Sequence, residues 1–320
     1  MNNIVFFSGG LSSFAVADYV KKRGENTVLY FTDTLVEDED LYRFIFEVSD
    51  KLELPLLIHS KGITPVQLMV KQKFMANSRV GTCSKELKMK VAADYLTKGT
   101  VPEIEKWHNK QFLKDEEFMT NATLYFGIDL FEAHREKPIR DNWEKSGFTL
   151  EFPLLNQHMD ARSLLQEYQI PIPAQYLRGF SHNNCGGACV KAGIGHFKNL
   201  LIKKETLYNQ FMEQEIIISE YIRYTKQPAI KKGIQPDYMF NDVYEFVSTG
   251  KKSDKIKNIL ECHKYTKNWK FGIDSKGRDI KKPYTFMKGK SLADLEKEPA
   301  QCDMFDIGGC GCFFDFEEIS

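Results

Sequence analysis

What the chain lacks narrows it first. Lys and Arg number 44, and so do Asp and Glu, which leaves a formal net charge of zero. No global field therefore draws in a polyanion, and a nucleic-acid partner would need a local basic patch. No apolar run reaches the roughly 18 residues of a membrane span. Met1-Asn2-Asn3 leads straight into an apolar run, so no secretory leader is expected. These absences predict a cytoplasmic protein with no membrane partner. No G-x-x-x-x-G-K-[ST] occurs anywhere, which excludes a Walker-type phosphate loop. Cysteine is sparse, with seven in 320 residues. In a reducing compartment such thiols bind metal or catalyse more often than they pair.

What is present is enough for a full core. The chain is 42% hydrophobic, and its length suits two domains or one large domain with an appendage. The organising stretch is Ser8-Gly9-Gly10-Leu11-Ser12-Ser13. Before it, Ile4-Val5-Phe6-Phe7 is short, continuous and β-prone, and reads as a buried strand. After it, Phe14, Val16, Ala17 and Val20 fall on one face of a helix. A Gly- and Ser-rich strand-to-helix turn aims backbone N–H groups and the positive end of a helix dipole at one spot. Such a turn suits a phosphate; it also suits an ordinary βα connection.

Thr27–Phe31 and Leu56–His59 read as further buried strands, separated by an amphipathic helix over about 38–54 that carries Leu41, Phe44, Ile45 and Val48. Strands alternating with helices at this spacing predict a parallel α/β sheet. Ligands of such sheets sit beyond the carboxyl ends of the strands. That puts Ser8–Ser13, Asp33 and His59–Lys61 on one rim. Thr82 or Ser84 is expected to cap a helix running to about Leu96, with Lys85 and Lys88 sharing a face near its start. Two cations there oppose the helix dipole, which a bound anion would relieve; a solvated face is the alternative, favoured for Lys85. Thr123–Ile128 reads as a strand. Behind it, Arg135 has the fork to grip a phosphate and Glu132 the carboxylate to orient it, although a surface ion pair explains both. Thr149–Leu155 reads as a strand, and Asp160 opens a helix over 161–168 that the prolines at 171 and 173 end.

Cys185-Gly-Gly-Ala-Cys189 is a C-x3-C pair in a small-residue turn, which suits a metal or iron–sulfur knuckle. Beyond about Phe197 the chain is richer in Lys, Tyr and Ile, with helical stretches near Leu200–Lys226 and Pro236–Thr249. Lys251–Lys257 is a basic run, and Lys264–Lys270 interleaves Tyr265 and Trp269 with lysines. That pattern fits a nucleic-acid or protein partner, or a solvated surface. The chain ends in a Cys310-Gly311-Cys312 turn.

Four segments in order resemble the phosphoadenosine-phosphosulfate (PAPS) reductase branch of the PP-loop ATP pyrophosphatase (adenine nucleotide α-hydrolase) superfamily. They are Ser8–Ser13, similar to S-G-G-x-[DST]-S; Cys83-Ser-Lys-Glu-Leu-Lys88, similar to C-T-x-x-L-K; Gly127–Arg135, similar to G-I-R-x-x-E-x-x-R; and Gly179–Cys189. Ser12 stands where many members carry Asp. The resemblance implies an α/β fold, a parallel sheet flanked by helices of HUP-like, Rossmannoid type, over residues 1–197. A mostly helical, cysteine-tailed region would follow over 198–320. It implies ATP or a sulfonucleotide with its phosphates on Ser8, Gly9, Gly10, Ser12 and Ser13, and Asp33 near the ribose or Mg2+. Lys88 and Arg135 would contact phosphate or sulfate oxygens. Cys83, Cys185 and Cys189, with Cys310 or Cys312, would hold a [4Fe-4S] cluster or Zn2+. Two chemistries follow. In one, ATP is cleaved to AMP and pyrophosphate while an acceptor is adenylated for sulfur or nitrogen transfer. In the other, a Cys310 thiolate attacks activated sulfate. A non-catalytic nucleotide-binding partner protein is a third reading. The oligomeric state is left open.

Overall fold

The computed structural model describes residues 1–77, 80–265, 271–273, 279–280, 284–287 and 289–297. They form two compact units. The first takes in Met1–Gly62 and Ser84–Gly187; the second takes in Ile63–Cys83 and the described residues from Ala188 onward.

The first unit runs β1 (Asn2–Phe6), α1 (Leu11–Lys21), β2 (Asn26–Thr32), α2 (Glu39–Leu52) and β3 (Leu56–Ser60). The chain then leaves for α3 (Pro65–Gln72) of the second unit. It returns with a π-helical turn over Ser84–Met89, α4 (Lys90–Lys98), β4 (Ile104–His108), β5 (Thr123–Phe126), α5 (Glu136–Trp143) and β6 (Thr149–Glu151). Three helices close it: α6 (Pro153–Asn156), α7 (Ala161–Tyr168) and α8 (Ala174–Leu177). The six-stranded sheet has the order β4-β3-β2-β1-β5-β6. β1 lies between β2 and β5, parallel to both, so strand order reverses beside it.

Period-2 alternation sorts the strand residues between two cores. Val5, Phe7, Leu29, Phe31 and Ile58 meet Phe14 and Val20 of α1, Phe44 and Val48 of α2, and Leu165 of α7. Ile4, Phe6, Val28, Tyr30 and Leu57 meet Tyr95 and Leu96 of α4 and Ile139 and Trp143 of α5. Covering both faces explains why the strands read as continuous apolar runs. α2 begins where Asp38 accepts from the Asp40 amide at 3.0 Å, and it ends at Glu53 in the left-handed region.

The expected parallel α/β sheet is present, with four local corrections. An antiparallel edge strand, β4, pairs with β3; its half-exposed, polar Ile-Glu-Lys-Trp-His lacks the apolar run of the inner strands. The strand expected over Thr149–Leu155 stops at Glu151, because Pro153 supplies no N–H and opens α6 instead. The helix expected after Cys83 begins with π-helical turns before settling into α4. His59 belongs to the core and not to the rim: it is fully buried, sharing hydrogen bonds with the Tyr30 hydroxyl at 2.9 Å and Glu105 at 2.8 Å. Burial pulls its pKa down against the pull of Glu105, which favours the neutral ring.

The second unit is mainly helical among its described residues. After α3 it comprises α9 (Ile194–Lys203), α10 (Glu205–Thr225), α11 (Pro228–Lys231), α12 (Phe240–Thr249) and α13 (Asp254–Tyr265). A short ladder of β7 (Phe271–Ile273) and β8 (Asp279–Ile280) follows, and then α14 (Leu292–Leu295). The helical region expected near Leu200–Lys226 is divided between α9 and α10, because Lys204 leaves helical geometry at φ −146, ψ 55.

Candidate functional site

The Ser8–Ser13 turn leaves the central strand β1 at its carboxyl end. Gly9 is left-handed at φ +75, and a Cβ there would lie 3.0 Å from Leu41 Cγ and 3.1 Å from Ile45 Cγ2. Glycine is thus required twice, by conformation and by space. Gly10 is the N-cap of α1 and offers no side-chain cap. The first amides of a helix find no partner within it. Leu11 N–H donates to the Tyr176 hydroxyl at 3.2 Å, and Phe14 N–H returns to the Gly10 carbonyl at 3.1 Å. Between them the amides of Ser12 and Ser13 stand at the positive end of the helix dipole.

The turn is held from several sides. Asn183 Nδ2 donates to the Gly9 carbonyl at 2.9 Å, and the Asn183 side chain is fully buried. Ser13 Oγ donates to the Gly10 carbonyl at 2.9 Å and lies 3.3 Å from Ser8 Oγ. Across the strand-order reversal, Gly127 abuts the start of α1. A Cβ on Gly127 would stand 2.7 Å from both the Cα and the backbone N of Ser13, closer than any real contact. Two of the sequence-predicted segments, Gly127–Arg135 and Gly179–Cys189, therefore converge on a third.

On the β2 side a single carboxylate collects the polar groups. The Glu37 side chain is wholly buried; its Oε1 accepts from Thr34 Oγ1 at 2.9 Å and lies 3.7 Å from Lys88 Nζ, itself buried. Its Oε2 accepts from the Cys185 amide. Cys185 is itself left-handed at φ +57, unusual for a residue with a Cβ, and strain of that kind collects at functional sites. Lys88 reaches this point from the π-helical turn, an irregularity frequent at functional sites. Asp33 Oδ1 accepts from the Leu35 amide at 2.7 Å and from the Tyr42 hydroxyl at 2.9 Å. Burial and that carboxylate push the Tyr42 phenol well above its usual range.

On the β5 side Asp129 caps a 3-10 turn, Leu130–Arg135, by accepting from the amides of Phe131 and Glu132 at 2.9 and 3.3 Å. Arg135 is buried and ion-paired with Glu132. Burial pulls its guanidinium down to about 9, with Asp129 opposing. A hollow of about 290 Å³ lies against Leu11, Ser12 and Ala15 of α1, with Asp129, Phe131 and His158 in its wall. Phe131 is 94% exposed beside it.

Reasoning from the sequence missed Glu37, Tyr176 and Asn183. The helix that follows is capped by Asp38, so no capping pattern marked Glu37. Tyr176 and Asn183 act on residues 165 and 174 positions away, and nothing local announces them.

Cys185 lies in the first unit, Cys83 and Cys189 in the second; Cys310 and Cys312 lie outside the described residues. Among the described residues no group of three or more His, Cys, Asp or Glu side chains comes close enough to hold a metal ion. In the run Lys251–Lys257 every lysine has a carboxylate: Lys251 with Glu245 at 2.8 Å, Lys252 with Glu213 at 2.7 Å, Lys255 with Asp242 at 3.0 Å and Lys257 with Asp254 at 3.2 Å. Lys267, Trp269 and Lys270 lie outside the described residues. Among the described residues no helix is long and apolar enough to cross a membrane.

A Ser/Gly turn at a central parallel strand, facing a strand-order reversal, lies where open α/β sheets take their ligands. The comparison with known families agrees. Residues 2–102 match the phosphoadenosine phosphosulfate reductase domain family, a member of the PP-loop/adenine nucleotide alpha-hydrolase-like superfamily. The matched stretch runs from β1 through α4 and contains Ser8–Ser13, Asp33, Glu37 and Lys88; Arg135 and Gly179–Cys189 follow it. No curated protein and no solved structure matches the chain.

Proposed function

We propose that the chain is a PP-loop enzyme that binds ATP at the Ser8–Ser13 turn and cleaves it between the α and β phosphates. An acceptor oxygen attacks the α-phosphorus, the bond to the bridging oxygen breaks, and pyrophosphate leaves. A sulfur or nitrogen nucleophile then displaces AMP from the adenylated acceptor, a small molecule or a nucleic-acid group. The observation carrying this reading is the turn itself. Ser12 and Ser13 amides, at a helix start clamped by Asn183 and Gly127, form a preorganised cradle for the departing pyrophosphate.

Lys88 and Arg135 are the cations of this rim, assigned to phosphate oxygens. Glu37 fixes the position of the Lys88 ammonium. Asp33 commits Oδ1 to two donors, so Oδ2 is the oxygen left to a ribose hydroxyl or Mg2+. When bound, Mg2+ would neutralise charge on the leaving pyrophosphate. The described residues assemble no thiolate set for zinc or an iron–sulfur cluster, so no step is assigned to one. ATP chemistry of this kind belongs in the cytoplasm.

The matched family's own description supports a second reading, thiol-dependent reduction of a sulfonucleotide with Cys310 as nucleophile. The tail Gly309-Cys310-Gly311 keeps the core of the reductases' E-C-G-[LI]-H but has neither its Glu nor its His. One experiment separates the two. Pyrophosphate and AMP released from ATP with Mg2+, and lost in Lys88→Ala, support adenylation. Sulfite released from the sulfonucleotide, and lost in Cys310→Ser, replaces it with reduction. Nucleotide binding with neither product leaves a non-catalytic binder and overturns both.

A further inference from the structure

The second unit carries a feature that the nucleotide site does not use. A hollow of about 390 Å³ has Lys73, Phe74, Lys226 and Tyr284 in its wall and no carboxylate among its described lining residues. Lys226 Nζ stands 4.2 Å from the centre of the Tyr284 ring and hydrogen-bonds its hydroxyl. Phe74 is 37% exposed although α3 ends just before it. Lys73 continues the surface: it pairs at 3.0 Å with Asp237, which also accepts from the Tyr221 hydroxyl at 2.7 Å. Beyond Asp237 the Phe240 and Tyr244 rings stack at 5.5 Å and 17°, and Lys71 Nζ lies 5.4 Å from the centre of the Tyr244 ring. Tyr238, between Asp237 and this stack in the chain, is 65% exposed.

Two aromatic places, each with its own lysine, are thus linked through Lys73 and Asp237. Lys71 and Lys226 form no ion pair among the described residues, in contrast to the Lys251–Lys257 run, where every lysine is neutralised. Exposed rings interleaved with cations grip flexible single strands, because every base has a face to stack and every linkage a negative charge. A duplex hides its base faces and offers phosphate alone. The zero net charge of the chain makes such a local patch necessary for any nucleic-acid contact.

We infer that this face of the second unit binds single-stranded nucleic acid, with one base in the Phe74–Tyr284 hollow and its neighbours on Tyr238, Phe240 and Tyr244. The inference is independent of the ATP reading. It is tested by fluorescence anisotropy on the full chain with labelled oligonucleotides of about 15 nucleotides, as single-stranded DNA, single-stranded RNA and duplex. The expected result is tighter binding of a single strand than of duplex; whichever sugar binds better identifies the partner. Phe74→Ala and Tyr238→Ala, both at exposed rings, should each weaken it by about tenfold. Lys226→Gln should lower the salt slope by about one unit between roughly 50 and 200 mM salt. Thermal melts of the variants check the fold, and pyrophosphate release without nucleic acid should be unchanged in them. Duplex bound as tightly as single strand, no single-strand binding, or folded ring variants that bind like the parent would each overturn the inference.

Discussion

The two units spend their buried polar groups differently. In the first, Asn183, Tyr176, Glu37 and Lys88 converge on a turn and a rim at the end of a sheet. In the second, the wholly enclosed Glu215 of α10 points both oxygens at chain that comes later, accepting from the amides of Phe286 and Leu292 at 2.8 Å each. The first arrangement braces the turn proposed to hold a nucleotide. The second ties the chain to itself, and burial pushes its carboxyl up to about 8 despite the two amide donors. A buried polar group is therefore evidence of a site only when its partners lead outward to a rim.

Substitutions at four positions would break or sharpen that contrast. Gly127→Val should have the largest effect, because its Cβ would meet Ser13 backbone at 2.7 Å and backbone cannot yield cheaply. We expect nucleotide binding to be abolished, read by titration calorimetry, with stability lowered by several kcal/mol. Unchanged binding would mean the turn is not the site. Glu37→Ala removes the carboxylate that the buried Lys88 ammonium and the Cys185 amide share, so about 1–3 kcal/mol of stability should be lost in denaturant melts. Glu37→Gln, which keeps the shape, should lose less.

Glu215 gives a pH signature. Its folded pKa of about 8 lies above the ordinary 4.5, so between those values the folded state holds a proton that the unfolded state has released. Stability should fall as pH rises through that window, at up to about 1.4 kcal/mol per unit, and level off above it. Glu215→Gln should flatten the slope measured by urea melts from pH 5 to 8, roughly the same window. An unaltered slope would mean that Glu215 is ionised throughout. The smallest effect is expected of Tyr176→Phe, which removes the acceptor of the Leu11 amide and should cost about 1 kcal/mol. If that hydroxyl serves only the fold, nucleotide affinity will not change; if it stands in for an anion oxygen, affinity will rise.

Local periodicity made the inner sheet legible. β1, β2, β3 and the helices between them alternate or recur at periods that follow from burial on one face or both. The Gly-Gly turn could be read for a similar reason, since a positive φ and a close approach to α2 both call for glycine at position 9. Edge strand β4 was not legible, because half its residues face solvent and its pairing with β3 is a matter of tertiary contact. His59 follows an apolar strand run and looked like a rim residue, until Tyr30 and Glu105 were found on its two nitrogens.

The sequence by itself determined the strand–turn–helix unit, the parallel α/β character of the sheet, and the residue types proposed to hold a phosphate. These depend on interactions within a few residues, where propensity and period dominate. Only the tertiary structure decided that Lys88 and Cys185 share the Glu37 carboxylate, that Asn183 holds Gly9, and that the Lys251–Lys257 cations are neutralised while, among the described residues, those beside Tyr284 and Tyr244 form no ion pair. Pairings between distant residues are settled by which buried charge or amide must be satisfied once the chain is packed, and no local pattern encodes that.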